Sequence, residues 1–522
     1  MLILGNISGI QDFLFDVRET GGKQAASLRF RSFRLQVIAE CLARKFLWSC
    51  GLGEDRLLFC AAGKFGIDAA GVSGMGERVS LAATDAERWL LGHAHGRLRF
   101  AVAVGAEEGT MAERYGAAGS ILRRAKLRAW AGAATDGDGA GWPGSPLVAD
   151  SPWDAEAEGK RDAEQGRRLL AADALTLRPA LGSKAEQAPA DVIAEVATTW
   201  HRRSEVNNDD GGVTIDLRRL SRHVPRNSDG QMTEFVDLAS QARGAAMLGV
   251  LKADADGLGD AMQRTLAGAK DLTPLKALSG RLETFFGSTL EKEMSDQGSR
   301  WASIYTVFSG GDDLLLVGPW DVMLDFACHV RRRFFEAFKA ERLTISAGVA
   351  LVKPKFPIRL AAQQAEELLD LAKLHNAPRA DSPKDQCATL GALWKWSDHE
   401  RIIDAGRQLA DWVDAGVIQR GWLHTLLELA LLRRNELPHG SEARTGRHDP
   451  PEMATSRLAY HVTRNWPNAN DSDGSKHDAR AWIDTVLRHF DTFDRTADPV
   501  TLYLPVIVRY AMLATRSPSD KE

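Results

Sequence analysis

Two adjacent carboxylates follow three small residues in the segment "VFSGGDDLLLVG", residues 307–318. Apolar runs on both sides predict two strands joined by a tight turn, so Asp312 and Asp313 would stand at a hairpin tip. Two like charges about 4 Å apart repel by roughly 4 kcal/mol at an effective dielectric constant near 20. Water or a cation must offset that repulsion, and a divalent metal ion is the leading candidate.

A third carboxylate ends an earlier predicted strand. In "GVLKADADGLGDAM", residues 249–262, an apolar run leads to Asp254 before two glycines break the pattern. If these strands are neighbours in one sheet, Asp254, Asp312 and Asp313 meet at one edge. Mg²⁺ prefers oxygen ligands and takes only a few of them from the protein. A Gly-Asp turn alone fits a solvated acid pair equally well, and it is Asp254 that favours a metal site.

The chemistry that such a site supports is nucleotidyl transfer. Two metal ions about 3.5–4 Å apart promote the attack of a hydroxyl on an α-phosphate, and they stabilise pyrophosphate as it leaves. Backbone amides at the helix start after Asp254 can hold phosphate oxygens. Two later lysines can supply countercharge, although Lys373 could equally be a solvated residue of its helix. In this half, the residues predicted to contact nucleotide are Gly257, Leu258, Gly259, Ser309, Gly310, Gly311, Lys373 and Lys384.

The start of the chain repeats the order of these motifs. Subtracting 248 from the residue number places Asn6 of "LILGNISGIQDF" at the position of Asp254. The same offset aligns "LLFCAAGKF" with "YTVFSGGDD", so that Lys64 meets Asp312 and Phe65 meets Asp313. Two more matches, "LRFAVAVG" with "LTISAGVA" and "RRAKL" with "DLAKL", follow at offsets of 245 and 247. Four matches in the same order predict the duplication of a whole domain.

The first copy lacks all three acids, so it cannot gather a divalent cation in the same way. We therefore expect the chemistry in the second copy alone. A condensation of two nucleotides also needs a site for the acceptor, and the metal-free copy could provide it through Ser8, Gly9 and Gln11.

Each copy is expected to run strand, helix, strand, tight turn, strand, helix, strand, helix. This pattern predicts an α+β fold, in the ferredoxin-like arrangement that polymerase palms also use. An apolar stripe at helical spacing runs along the helix after the acid pair, from Met323 to Phe338. The predicted domains are a degenerate first palm (1–132), a linker or connecting domain (133–244), a catalytic second palm (245–397) and a C-terminal helical domain (398–522).

Composition narrows the class of protein. A formal net charge of -4 over 522 residues gives no global attraction for nucleic acid, so an RNA surface would have to be a local patch. The five cysteines are scattered without close pairs, which argues against a zinc ribbon and against a disulfide framework. Cysteines that are not arranged in close pairs fit a protein of the reducing cytoplasm. With no stretch of 18 apolar residues, neither export nor a membrane partner is expected.

The motifs "GNISGIQDFLF", "FSGGDDLLLVG", "AGVALVKPKFPI" and "LPVIVRYAML" resemble the large, polymerase-like subunit of type III CRISPR-Cas effector complexes, in the Csm (type III-A) branch. The resemblance implies synthesis of cyclic oligoadenylate from ATP when target RNA is bound. It also implies Mg²⁺ or Mn²⁺ at Asp254, Asp312 and Asp313. The implied partners are CRISPR RNA, target RNA and other Csm-type subunits, among them a Cas5-like subunit that binds the end of the CRISPR RNA and a small helical subunit.

Three departures from that family qualify the expectation. Relatives often begin with an HD nuclease domain, which this chain is expected to lack together with its DNase activity. Residues 133–244 contain no cysteine, so the zinc of many relatives is not expected. Gly257 stands where many relatives have Asn, which changes the nucleotide contact there.

Two rival functions remain open on sequence grounds. A GGDEF-like diguanylate cyclase would use GTP and is disfavoured, since such enzymes normally pair two identical active halves. A catalytically idle scaffold of the CRISPR RNA complex would bind RNA and subunits without consuming ATP.

Overall fold

The structure is a computed structural model. It describes residues 1–15, 24–94, 96–127, 162, 174–177, 213–216, 223–296, 298–434, 451–467, 473–491 and 497–516. Most of the predicted connecting domain, 133–244, lies outside these residues.

An antiparallel sheet of four strands forms the first unit, the described part of the chain up to residue 127. Its strands are β1 (Leu2–Ser8), β2 (Leu57–Ala61), β3 (Lys64–Asp68) and β4 (Arg99–Val104), and its helices are α1 (Ile10–Phe15), α2 (Gln24–Ser49), α3 (Met75–Ala94) and α4 (Met111–Lys126). The strand order is β2-β3-β1-β4. Since successive side chains of a strand point to opposite faces, Ile3 and Leu4 of β1 are buried in different cores.

Between the units, β5 (Ala174–Leu177) and β6 (Val213–Asp216) pair with each other in antiparallel fashion. The short helix α5 (Phe235–Ser240) follows. The ring of Phe235 lies 5.4 Å from that of Tyr305, edge to face, and both are buried. The chain from residue 223 onward therefore packs with the second unit.

The second unit, residues 245–395, contains a sheet of six strands. Its strands are β7 (Leu248–Asp256), β8 (Tyr305–Gly310), β9 (Asp313–Pro319), β10 (Thr344–Val352), β11 (Gln386–Thr389) and β12 (Ala392–Lys395), and its α-helices are α6 (Leu258–Leu266), α7 (Thr273–Thr284), α8 (Leu290–Ser295), α9 (Trp320–Phe338) and α10 (Ile358–Leu374). A π-helical turn, Phe285–Thr289, joins α7 to α8. The predicted apolar stripe of α9 is buried at Met323, Ala327, Val330, Phe334 and Phe338. The chain is thus a mixed helix and sheet protein.

The strand order of the first sheet recurs in the second. Four strands of the second sheet run β10-β7-β9-β8, which matches β4-β1-β3-β2. In both units, one helix-containing segment lies before a hairpin and another helix lies after it, the split βαβ arrangement.

The strand register corrects one detail of the repeat. The constant offset of 248 pairs Lys64 with Asp312 in the alignment. In the structure, Asn6 is the partner of Lys64 across β1 and β3, and Asp254 is the partner of Asp313 across β7 and β9. Lys64 is therefore the structural counterpart of Asp313, and the whole hairpin is shifted by one residue from the constant offset.

The slip arises before the hairpins and not in their turns, because both turns have two residues: Ala61 pairs with Lys64, and Gly310 pairs with Asp313. The first hairpin turns at Ala62 (φ 55°) and Gly63 (φ 70°), which are both left-handed. The second turns at Gly311 (φ 67°) and Asp312, and Gly311 alone of these two is left-handed. Different two-residue turns close the two hairpins, and turn type cannot be inferred from motif spacing.

Two hydrophobic cores run through both units. Leu4 of the first unit shares one core with Leu316 of the second, and Phe65 shares the other with Val307. The hydroxyl of Tyr305, at the start of β8, donates to the carbonyl of Ala25 in α2 at 2.7 Å. The two sheets are therefore held in one packed body.

Helices make up the described part of the chain after residue 395. They are α11 (Trp396–Asp414), α12 (Gly421–Arg433), α13 (Met453–Asn465), α14 (Gly474–His489), α15 (Pro499–Leu502) and α16 (Leu504–Ala514). Trp320 of α9 meets Tyr510 of α16 edge to face at 5.0 Å, which ties them to the second unit. Within the described segments, no helix is both long enough and apolar enough to cross a membrane.

A buried histidine in α11 makes the stability of this junction depend on pH. The indole N–H of Trp394 donates to Nδ1 of His399 at 3.2 Å, so Nε2 carries the proton and donates to the carbonyl of Leu324 at 3.1 Å. Burial lowers the pKa of His399 to about 4, against the opposing effect of the Leu324 carbonyl. In the unfolded chain the histidine pKa is near 6.5, so between about pH 6.5 and pH 4 the unfolded chain binds a proton at this histidine and the folded protein does not.

We expect stability to fall by about 2 kcal/mol as the pH drops from 7 to 5, because His399 must stay neutral in the fold. Urea unfolding of wild type and of His399→Gln at both pH values measures the slope, which the variant should flatten. His477→Gln, at an exposed position, should keep the wild-type slope. An unchanged slope in His399→Gln would contradict this account.

Candidate active site

Strand pairing brings the three predicted aspartates together. Asp254 is the direct partner of Asp313 at the end of the β7 and β9 pairing. The amide of Ala255 donates to the carbonyl of Asp312 at 2.8 Å, which fixes the turn beside the end of β7. All three residues therefore lie at one corner of the second sheet.

Their side chains have different partners. Asp254 accepts a hydrogen bond from the ammonium group of Lys373. Asp312 accepts from the ammonium group of Lys64 at 3.0 and 3.1 Å. Oδ1 of Asp313 is buried and has no hydrogen-bond partner. Across the described parts of the chain, no three carboxylate, imidazole or thiolate groups are gathered closely enough to hold a metal ion as they stand.

Burial dominates the electrostatics of the corner. It raises the pKa of Asp313, and the neighbouring charge of Asp312 raises it further. It also raises the pKa of Asp254, an effect that the attraction of Lys373 opposes. For Lys64 burial acts in the opposite sense, yet the attraction of Asp312 prevails and its pKa is raised. The ionised forms of Asp254 and Asp313 are therefore destabilised, and a further positive charge near them would stabilise those forms.

The residues present fit a divalent cation. The available donors are carboxylate oxygens, which Mg²⁺ and Mn²⁺ prefer over softer ligands. The buried, partnerless Oδ1 of Asp313 leaves a hydrogen-bonding or coordination requirement unmet, and an unsatisfied buried polar atom costs about 1–3 kcal/mol. A cation at this corner would remove that cost.

The residues predicted in the first unit border the same corner. Ser8, Gly9 and Gln11 line a cleft of about 320 Å³ together with Lys64 and Asp313. The cleft thus belongs to the first unit and meets the acid corner at Asp313.

Gln11 and Gly9 have identifiable positions in that cleft. The side-chain amide of Gln11 donates to Glu366 of α10 at 2.8 Å, across the boundary between the units. Gly9 has a φ of 78°, and a Cβ there would lie 2.0 Å from the carbonyl oxygen of Arg97. Only glycine fits that position.

Sequence reasoning missed Lys126, which also lines this cleft. Burial lowers the pKa of Lys126, and the nearby positive charge of Lys64 lowers it further. Lys126 is the last residue of α4, and the match of "RRAKL" with "DLAKL" places it at the position of Lys373. That match is the sequence signal that could have identified it.

The glycines after Asp254 lie at the start of α6. Gly257 has a left-handed φ of 67° and precedes the first helical residue, Leu258. A Cβ at Gly257 or Gly259 would meet nothing within 4 Å, so the backbone is open there. Leu258 itself packs against a core. The open amides agree with a phosphate contact, while the Leu258 side chain has a packing role.

The small residues before the acid pair have separate positions. Ser309 is buried and its hydroxyl donates to the carbonyl of Phe286 at 2.7 Å. Ser309 and Gly310 line a cavity of about 270 Å³ on the inner side of the turn. Gly311 contacts the opposite hairpin, since a Cβ there would lie 2.8 Å from the Cβ of Ala62.

That cavity was also missed by sequence reasoning. Polar groups from both units line it, including those of Gln36 in α2 and of Thr284 and Ser288 at the π-helical turn. The side-chain nitrogen of Gln36 is buried without a hydrogen-bond partner. A polar cavity beside the acid corner is suited to a group with hydrogen-bonding edges.

Two further polar residues, Lys384 and Asp256, differ from the three aspartates in their surroundings. Lys384 is exposed in a left-handed conformation (φ 72°), and no hydrogen bond of its ammonium group is described. Asp256, two residues after Asp254 on the same face of β7, was not predicted. Its carboxylate accepts from Thr344 and Ser346 at 2.9 Å, which makes it a structural group.

Comparison with known proteins agrees with this geometry. Residues 1–131 match the family described as Csm1 subunit domain B, and residues 247–382 match Cas10/Cmr2, second palm domain, so that together they span about half of the chain. A Mycobacterium tuberculosis protein, the CRISPR system single-strand-specific deoxyribonuclease Cas10/Csm1 (subtype III-A), is 30% identical over 220 residues. A protein of the same description from Enterococcus italicus is 29% identical over 228 residues.

The chain belongs to the Cas10/Csm1 family. The segment aligned with the M. tuberculosis relative covers 39% of this chain and 27% of that relative. The segment aligned with the E. italicus relative covers 42% of this chain and 26% of that relative. The match thus spans about a quarter of each curated relative. The DNase activity in their names belongs to those Cas10/Csm1 proteins, and its absence from this chain stays a prediction.

Solved structures share the Cas10/Csm1 fold. The Csm1-Csm4 cassette in complex with cA4 matches with a TM-score of 0.65 at 18% identity, over 99% of this chain and 70% of that one. The cassette in complex with AMPPNP matches with a TM-score of 0.66 at 19% identity, over 99% and 69%. At this identity the likeness shows the fold alone.

Because the Asp313 carboxylate is buried with one unmet oxygen, replacing it by the neutral amide in Asp313→Asn should raise the melting temperature of this Cas10/Csm1 chain in chelator by a few degrees. The same variant should lose stabilisation by Mn²⁺, since a carboxylate ligand is gone. Differential scanning fluorimetry with EDTA and with Mn²⁺ tests both effects.

Asp229→Asn is the matched control, because Asp229 lies in an exposed turn. It should leave both melting temperatures at the wild-type values. A lower melting temperature of Asp313→Asn in EDTA would show that the buried charge is satisfied in some other way.

Proposed function

We propose that this chain is a nucleotidyltransferase that condenses ATP into cyclic oligoadenylate within an RNA-guided defence complex. The observation that carries the proposal is the acid corner, where Asp313 holds a buried, partnerless oxygen opposite Asp254 and beside Asp312. Asp313 also lines a cleft of the first unit, so the corner opens into that cleft.

Asp254, Asp312 and Asp313 would hold Mg²⁺ or Mn²⁺. When bound, such ions supply charge neutralisation at the phosphates and activation of the attacking hydroxyl. The exposed amides at Gly257 and Gly259 are suited to hold phosphate oxygens at the helix start.

The reaction joins two nucleotides. The 3′-hydroxyl oxygen of one forms a bond to the α-phosphorus of the other, the bond to pyrophosphate breaks, and the hydroxyl proton is released. The donor triphosphate would lie at the acid corner, with Lys373 and Lys384 as sources of countercharge. The acceptor would lie in the cleft against Ser8, Gly9 and Gln11 of the first unit.

The inner cavity suits a nucleobase. Its volume of about 270 Å³ exceeds that of a few waters, and Gln36, Thr284 and Ser288 offer hydrogen-bond donors and acceptors to a planar heterocycle. Because this cavity adjoins the acid corner through Ser309 and Gly310, a base there would leave its phosphates near the acids.

Solved structures of the same fold favour adenine nucleotides as ligands and another subunit as a partner. Chains of this fold have been crystallised as Csm1-Csm4 cassettes with one ATP, AMPPNP, cA3 and cA4. The recurring strand order and the second palm match support the proposal of two palm domains, of which the first is degenerate. CRISPR RNA, target RNA, a Cas5-like subunit and a small helical subunit are the proposed partners, as in the resemblance that the sequence shows.

The assembled complex with target RNA, ATP and Mg²⁺ tests the proposal. Wild type should yield cyclic oligoadenylate by mass spectrometry, and the Asp312→Ala, Asp313→Ala double variant should yield less than about one hundredth of it, because the metal ligands are lost. RNA retention by the variant complex, measured by gel shift, should be unchanged.

Asp229→Ala serves as the exposed control and should retain full synthesis. Product from GTP in place of ATP would favour a diguanylate cyclase. Normal assembly with no consumption of either nucleotide would favour an idle scaffold.

A further inference from the structure

One contact at the acid corner comes from the unit that lacks the acids. Nζ of Lys64 lies 3.0 and 3.1 Å from the two carboxylate oxygens of Asp312, 248 residues away in sequence. The Lys64 side chain is 46% exposed and that of Asp312 is 18% exposed. A cation of the first hairpin therefore covers both oxygens of a proposed metal ligand.

The backbone of Lys64 has no freedom to withdraw. Lys64 is the first residue of β3, where it is paired with Asn6 on one side and with Ala61 on the other. The hairpin turns of the two units touch, because a Cβ at Gly311 would lie 2.8 Å from that of Ala62. The ammonium group can thus leave Asp312 only by rotation of its own side chain.

A divalent cation and this ammonium group need the same oxygens. The carboxylate has free lone pairs for a metal, but a divalent cation on either oxygen of Asp312 would repel the ammonium group beside it and weaken that contact. Asp313, by contrast, keeps one oxygen without a partner. Asp312 is therefore the ligand at which entry of a metal has a competitor.

The cleft offers the displaced ammonium group a destination. Lys64 lines this cleft of about 320 Å³, together with Lys126, Ser8 and Gly9. Two ammonium groups, a hydroxyl and a glycine backbone offer contacts to phosphate oxygens in this cleft. Of the two carboxylates that also line it, Asp12 is paired with Arg359, and Asp313 belongs to the proposed metal site. A rotation of the Lys64 side chain keeps it in that cleft.

We propose that Lys64 is a positioning residue with two alternative partners: it neutralises Asp312 before the metal binds, and metal binding transfers it to a nucleotide phosphate in the cleft. The inference rests on the proposed function and deepens it. Binding of the metal and of the nucleotide is thereby coupled through one side chain. Coupling of this kind is reciprocal between the two ligands.

Lys64→Gln separates the two roles. Mn²⁺ titrations of the full chain without nucleotide, read by electron paramagnetic resonance, should give a dissociation constant roughly fivefold lower than wild type, because a competing ion pair is removed. Isothermal titration with AMPPNP at saturating Mn²⁺ should give a dissociation constant roughly fivefold higher, because a phosphate contact is lost. Loss of fold cannot produce opposite shifts in the two affinities.

The controls keep the outcome specific. Lys64→Arg retains the charge and should stay close to wild type in both titrations, and Lys339→Gln removes a lysine at an exposed position away from the corner. Circular dichroism verifies folding, and Lys64→Met, which keeps an apolar stem, replaces the Gln variant if that one does not fold.

The inference and the proposed function can fail separately. Mn²⁺ affinity that is unchanged or weaker in Lys64→Gln, with Mn²⁺ binding abolished in Asp312→Ala, would overturn the competition and leave the metal site in place. Mn²⁺ affinity that is the same in wild type and Asp312→Ala would overturn the metal site, and the role of Lys64 with it.

Discussion

Charge repulsion among three aspartates is the constraint on which the junction of the two units depends. Asp254 and Asp313 are direct partners in the sheet, and Asp312 is the next residue. At about 4 Å and an effective dielectric constant near 20, one such pair costs roughly 4 kcal/mol. Lys373 and Lys64 offset part of that cost from distant segments of the chain. The strand pairing that gathers the acids therefore also requires α10 and the first hairpin to be in place.

The packing between the units meets this requirement. Each hydrophobic core takes side chains from both sheets, so the first hairpin cannot shift relative to the second without opening a core. Well-packed interiors resist small displacements. The contact between Ala62 and Gly311 then sets how closely the two turns approach. Long-range apolar burial thus determines where a charged group such as Lys64 can reach.

Much of this arrangement can be predicted from the sequence, because strands and turns carry local signals. Alternating and continuous apolar runs end at Asp254 and at the acid pair, and the α9 stripe has the period of a buried helix. The meeting of three acids follows if the strands are neighbours, as they are in the structure.

Other features depend on information that motif spacing does not contain. Strand pairing shows that one residue is gained in the segment before the hairpin, so the counterpart of Asp313 is Lys64 and not Phe65. Ser309 points into the protein because it is the second-last residue of β8, where the face of each side chain is fixed by pairing with β9. The left-handed conformation of Lys384 has no sequence signal, since it is neither Gly nor Asn.

The two units have the same strand order but carry different charges at corresponding positions. Asn6 is one such position. Asn6 is the first-unit counterpart of Asp254; its Oδ1 is buried without a hydrogen-bond partner, and the residue lines the cleft. An apolar residue of similar size would avoid a cost of about 1–3 kcal/mol if the position served packing alone. Asn6 borders the space proposed for the acceptor nucleotide, and a donor group of a ligand that reached the oxygen would satisfy it. On the proposed function, the neutral and cationic groups that the first unit carries in place of metal ligands would suit a nucleotide, which would allow one corner to serve two substrates.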